Sequence, residues 1–238
     1  MPFTLSHPVA ILPLTRTRLS APALIIGSLS PDFLYFVPYQ PETHFTHTLL
    51  GGISFCLPVS LLMLLLYEML LKKPIFSLLP VQPQVQSPKT QFSKANWLEH
   101  LGWLIGAILI GAFSHIIWDA FTHDYGFGVA LLGLERPVSF LSRQLPLYKL
   151  LQYLSTVLGG LVVLTWAVFE LRLRSINDIH PHLRLMFALA TGIGLLYGAS
   201  FLPALHAAIV QVSIGTISSG ILLLLIYSSL WHLRRFTS

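Results

Sequence analysis

Five apolar runs, each about twenty residues long, restrict this chain more than anything else in it. They are Leu49–Leu71, Trp97–Phe121, Lys149–Leu171, Leu183–Leu205 and Ile209–Trp231. At 1.5 Å of rise per residue, ~20 apolar residues cross a hydrocarbon core as a helix. A large soluble core is the competing explanation, and the charge content rejects it. Charged residues make up 10% of the chain and hydrophobic residues 54%, with a mean hydropathy of +0.73. Globular chains carry ~25% charged residues. The fold class expected is all-α: a polytopic helical membrane protein with about five transmembrane helices, preceded by short interfacial or re-entrant helices. Residues 1–238 read as a single membrane domain. Within it, 1–48 form an N-terminal segment, 49–123 the first two spans and 149–233 three more.

That N-terminal segment has prolines at 2, 8 and 13, and Pro22-Ala-Leu-Ile-Ile-Gly27 is too short to span regularly. It reads as short helices at or dipping into the membrane surface, or as one kinked span over 20–37 that would bury Asp32. The loop 72–96 is rich in Pro, Gln and Ser and reads as flexible and exposed. The loop 124–148 carries glycines at 126, 128 and 133. The run from Leu183 is rich in Gly and Ala, which suits close helix packing.

The net charge of +5 is scattered and accompanies no nucleic-acid motif, so no nucleic-acid partner is expected. In a membrane protein such an excess sets topology. Lys72, Lys73, Lys89, Lys94, Arg172, Arg174, Arg184, Arg234 and Arg235 fall on one side. The positive-inside rule makes that side cytoplasmic. The start of the first span and the end of the second then face the extracytoplasmic side of what reads as a bacterial plasma membrane. Cys56 is the sole cysteine, so no intrachain disulfide forms and thiolates contribute little to any metal site.

The second span ends in His115-Ile-Ile-Trp-Asp119-Ala-Phe-Thr-His123. Steps of four keep these three side chains on one side of a helix, roughly 6 Å apart along it. An acid and two imidazoles there are costly unless something compensates them. Three other places supply similar groups: His7 before Pro8, Asp32 after Pro31, and His44 with His47 at the start of the first span. Because the second span runs back toward the start of the first, four segments can converge at one surface. His7 and His44 fit interfacial histidines as well as ligands, and Asp32 fits a turn after Pro31. Asp124 fits a turn residue. His and carboxylate donors without thiolate suit a divalent metal, Zn²⁺ foremost, with Mn²⁺ or Fe²⁺ as alternatives.

The stretches Met-Pro-Phe-Thr-Leu-Ser-His-Pro, Gly-Ser-Leu-Ser-Pro-Asp-Phe, Phe-Thr-His-Thr-Leu-Leu-Gly and His-Ile-Ile-Trp-Asp-Ala-Phe-Thr-His also carry a resemblance. The chain resembles an uncharacterised bacterial membrane family, filed among domains of unknown function, that opens MPFTxSHP. More distantly, the order of His, Asp and His residues is similar to membrane-bound metal-dependent hydrolases and to zinc-dependent phospholipase C-like proteins. The resemblance implies a metal-dependent hydrolase with His7, Asp32, His47, His115 and Asp119 on the metal. His123 would be a ligand or proton shuttle, and His44 a supporting group. A site at headgroup depth would act on a phospholipid or another lipid-linked phosphate ester. A non-enzymatic metal-binding or transport protein is the alternative. Neither the oligomeric state nor the substrate is written in the sequence.

Overall fold

The computed structural model describes residues 4–37, 44–80, 97–140, 143–171, 179–201 and 205–236. Helices dominate it. Five are long and apolar enough to cross a membrane: α2 (Leu49–Leu78), α3 (Trp97–Thr122), α5 (Leu147–Glu170), α6 (Pro181–Ala199) and α7 (Leu205–Phe236). Each overlaps one of the five apolar runs, but α2 continues seven residues past the expected stop at Leu71, and α6 ends at Ala199, short of the expected Leu205, which instead opens α7. Between α3 and α5, where a plain loop was expected, lie α4 (Phe127–Leu132) and a hairpin. The hairpin pairs β1 (Pro137–Phe140) with β2 (Arg143–Pro146) in antiparallel register. It is a small departure from an all-α chain. Most of the expected loop 72–96 lies outside the described residues.

The chain divides into two compact units. The first comprises 1–33, 42–62 and 91–167, and the second 34–41, 63–90 and 168–238. In the first, Thr4–Arg16 winds as a 3-10 helix. Pro8 and Pro13 deny it the amide protons an α-helix there would need. A short helix, α1 (Ala21–Leu29), follows; Ser20 caps it and Pro22 opens it. A second 3-10 stretch, Ser30–Phe36, carries Asp32. α1 is one of the short helices expected within residues 1–48. It packs on the middle of α3, where Gly27 lies on Ile108 and Gly111 on Leu24. A Cβ at either glycine would strike the opposing backbone carbonyl, so the two helices approach as closely as helices can. Ala23, Leu24, Ala107, Ile108 and Ala112 close the contact with no exposed surface.

Two widened turns, Gly52–Cys56 and Tyr67–Leu71, interrupt α2. They precede Pro58 and Pro74, each of which lacks an N–H and crowds the carbonyl four residues earlier. In the second unit the carbonyl that Pro74 cannot serve is Leu70 O, and His232 Nε2 donates to it at 3.1 Å. His232 is therefore a structural residue. The Gly/Ala-rich α6 packs on α7 through a stripe of Ala190, Gly194 and Gly198. Ser219 of α7 donates across that contact to Ala190 O at 3.2 Å.

Candidate metal centre

Four segments of the first unit bring their polar residues to one point. The 3-10 helix Thr4–Arg16 supplies His7, the stretch Ser30–Phe36 supplies Asp32, the turn Phe45–His47 supplies His47, and the last turns of α3 supply His115 and Asp119. All five side chains are at most 4% exposed. The start of α2 and the end of α3 thus meet, as their antiparallel run requires.

The imidazoles are oriented by what their Nδ1 atoms touch. His7 Nδ1 faces the Thr4 carbonyl at 3.2 Å, and His115 Nδ1 faces the Ser28 carbonyl at 2.7 Å. A carbonyl only accepts, so both Nδ1 atoms carry the proton and donate. His47 Nδ1 lies 3.1 Å from Thr46 Oγ1, whose own proton goes to Pro31 O at 2.8 Å. Thr46 must therefore accept, and His47 is fixed in the same tautomer. The rings of His7 and His115 stack at 3.7 Å and 12°, which aligns their outer edges.

Every Nε2 then turns a lone pair toward a carboxylate. His7 Nε2 lies 3.0 Å from Asp119 Oδ1. His115 Nε2 lies 3.3 Å from Asp119 Oδ2 and 3.6 Å from Asp32 Oδ1. His47 Nε2 lies 3.3 Å from Asp32 Oδ1 and 3.4 Å from Asp119 Oδ2. Thr4 Oγ1 holds the other Asp32 oxygen at 2.6 Å. Lone pairs facing lone pairs repel unless something positive stands between them. Among the described residues no Lys or Arg pairs with either carboxylate, so two protons or one divalent cation must do so. An imidazole whose Nδ1–H is held by a carbonyl or hydroxyl is the arrangement found in metal-ligating histidines.

The spacing also fits an ion. Ligands about 2.0–2.2 Å from a tetrahedral metal lie roughly 3.3–3.6 Å from one another. The four cross-distances from His47 and His115 to the two carboxylates run from 3.3 to 3.6 Å. One ligand atom from each of Asp32, His47, His115 and Asp119 falls within 4.8 Å of the rest, so the four could hold a metal. His7 stands on the same Asp119 carboxylate as a further donor.

Protons are the alternative to an ion here: burial pushes the Asp32 carboxyl up, but the His115, His47 and His7 imidazoles, when protonated, more than offset it and hold it below its ordinary value. Burial pushes His123 below the usual imidazole value, and the charge of Asp119 opposes this only in part.

His123 sits just past the end of α3 and keeps its Nδ1 3.4 Å from Asp119 Oδ1 and 3.3 Å from Thr122 Oγ1. Its Nε2 turns away from the carboxylates and accepts from Gln152 Nε2 at 3.0 Å. His123 thus shares the Asp119 face but not the ring of lone pairs. His44 is exposed and lies apart, edge-on to Tyr125 at 5.6 Å. The three-residue spacing puts His44 and His47 both beside Tyr125, but only His47 reaches the carboxylates. Asp124 accepts from the Tyr125 amide in an exposed turn.

Four participants went unread in the sequence: Thr4, Thr46, Gln152 and the Ser28 carbonyl. Gln152 had a signal, since a lone amide inside Leu150-Leu151-Gln152-Tyr153-Leu154 is a polar group in an apolar run, and it is 2% exposed. Thr4 and Thr46 lie within the histidine motifs, where hydroxyls pass as spacers. A backbone carbonyl leaves no trace in residue type.

Comparison with curated proteins and with solved structures gives no match. A family model, described as Domain of unknown function (DUF4184), matches residues 1–229. This match spans both units and every residue of the candidate centre, and the chain belongs to that family.

Proposed function

We propose that this protein is an integral membrane, metal-dependent hydrolase. One observation carries the reading: three imidazoles, each locked with its proton on Nδ1, turn their Nε2 lone pairs onto two buried carboxylates. Asp32, His47, His115 and Asp119 hold the ion, with His7 as a further donor. Zn²⁺ suits this donor set best, and Mn²⁺ or Fe²⁺ would also bind it. A divalent ion supplies a Lewis acid for a phosphoryl oxygen and acidifies water toward neutral pH. The chain's own groups do the rest. Asp119 ties the centre to His123, and Gln152 holds the far edge of that imidazole, so His123 is placed to pass a proton to or from the centre through Asp119. Tyr125 stacks on His123 at 5.3 Å and meets the exposed His44 edge-on. The substrate class is a phospholipid or another lipid-linked phosphate ester, because the residues gather where two span-length helices end.

The distribution of Lys and Arg supports an extracytoplasmic site in a bacterial plasma membrane. Activity reporters fused after Ser238 check this, since the reading places that terminus in the cytoplasm. A non-enzymatic metal-binding or transport role is the second reading, and the deep burial of all five donors favours it. A closed shell of protein ligands stabilises a fold, whereas catalysis needs an open position.

The test is metal content of the purified full chain by mass spectrometry, wild type against Asp119→Ala and His47→Ala. Both substitutions should abolish stoichiometric metal. Undiminished metal in both would sink the centre. Release of phosphate or headgroup from lipid panels then separates hydrolase from binding protein.

A further inference from the structure

A cleft of about 510 Å³ opens beside the candidate centre. Ligand sites typically enclose ~300–1,000 Å³. Ser114, Trp118 and Phe121 of α3 form one wall, Leu151 and Ser155 of α5 another, and Ala10 of the N-terminal 3-10 helix the third. The cleft carries no charged residue. Its hydroxyls are also turned inward. Ser114 Oγ donates to Gly111 O at 2.7 Å, and Ser155 Oγ donates to Gln152 O at 3.0 Å. What remains facing the cavity is almost wholly carbon.

One end of this apolar slot is polar. Thr122, at the rim, accepts from His123, and Gln152, between Leu151 and Ser155, donates to the same ring. From there His123 reaches Asp119 at 3.4 Å. The cleft follows α3 from Ser114 to Thr122, alongside the turns that carry His115 and Asp119, and its link to the centre is the His123 ring. The charge distribution asks for one kind of molecule: an uncharged tail in the cleft and an anionic head on a metal.

We infer that the cleft seats one hydrocarbon chain of a membrane lipid whose phosphate monoester head lies at the metal centre. This rests on the metal-dependent hydrolase reading and adds to it the part of the substrate that the centre cannot recognise. Chain length and saturation are then selected by Trp118, Phe121 and Leu151, and the headgroup by the metal.

Two lipids with the same diazirine-bearing acyl chain test it, one a phosphatidic acid and one a phosphatidylcholine. Each is placed in phosphatidylcholine nanodiscs with the full chain, and the labelled residues are mapped by mass spectrometry. The phosphatidic acid probe should label Trp118, Phe121 and Leu151 about tenfold more than the phosphatidylcholine probe, a difference that the head alone supplies because the two acyl chains are identical. Ser155→Trp and Ala10→Trp fill the cleft from opposite walls and should remove that excess. Labelling of Phe169, exposed on α5, should stay unchanged. Equal labelling by the two probes reduces the cleft to ordinary bilayer contact and overturns the inference, as does excess labelling that survives both tryptophans. Metal content measured on the same preparations keeps the two readings apart. Both tryptophan variants should retain the ion, and a wild-type protein without metal defeats the metal reading whatever the labels show.

Discussion

Thr46→Val is a substitution that separates a metal centre from a merely buried polar cluster. Threonine and valine have nearly the same shape, and Thr46 is fully buried, so the packing changes little. What is lost is one oxygen with two jobs: it accepts from His47 Nδ1 at 3.1 Å and donates to Pro31 O at 2.8 Å. Without it His47 has lost that acceptor for Nδ1–H, and its ring is free to rotate or change tautomer. Removing such a support from a metal ligand costs 10–100-fold in affinity, about 1.4–2.8 kcal/mol. Leaving Pro31 O without this donor costs stability as well, about 1–3 kcal/mol. The two effects are separable. Zinc affinity is read by competition with a chromophoric chelator, and the stability of the metal-free protein by thermal unfolding in detergent. Thr46→Ser keeps the oxygen and should restore affinity to within a few fold. An affinity for Thr46→Val equal to wild type, in a protein where His47→Ala abolishes binding, would falsify the assignment of His47 Nε2 as a tautomer-fixed ligand.

Other outcomes follow from the same geometry. His232→Ala removes the side-chain donor to Leu70 O next to Pro74 and should lower stability by about 1–3 kcal/mol with metal content unchanged, read by thermal unfolding beside elemental analysis. Gly111→Ala places a methyl against the backbone of α1 at Leu24 and should destabilise by about 1–3 kcal/mol or more. The pH response of the metal-free protein is set in part by His123. Its folded value lies below the unfolded one of ~6.5, so its contribution is present above ~6.5 and is lost as pH falls through that range. Melting temperatures should therefore drop between neutral and mildly acidic pH, and His123→Gln should flatten that drop; an unchanged slope in His123→Gln refutes it.

The parts legible in the sequence are those that follow from periodicity and from the cost of burying charge. Five long apolar runs gave five long helices. His115 and Asp119 at a four-residue step, with His7, Asp32 and His47 elsewhere, had to meet a partner or one another. What the sequence did not disclose depends on contacts between segments. Nothing local in Pro22–Gly27 tells a surface helix from one docked on α3; the decision lies with Gly111, some eighty residues on. The hairpin at 137–146 has prolines at both ends and little alternation, so it reads as loop until its two strands pair. His44 and His47 look equivalent by spacing, yet a single 3-10 turn sends one inward and leaves the other beside Tyr125.

The carbonyls that fix His7 and His115 have a further meaning. A backbone oxygen cannot be removed by substituting its side chain, so Ser28 can change identity without releasing His115. What can release it is a change in the spacing or register of α1 against α3, because Ser28 adjoins Gly27, and His115 lies one turn beyond Gly111. The fidelity of the imidazole is thus entrusted to two glycines that carry no chemistry. Substitutions at that helix crossing, remote from either carboxylate, should present as defects of metal binding.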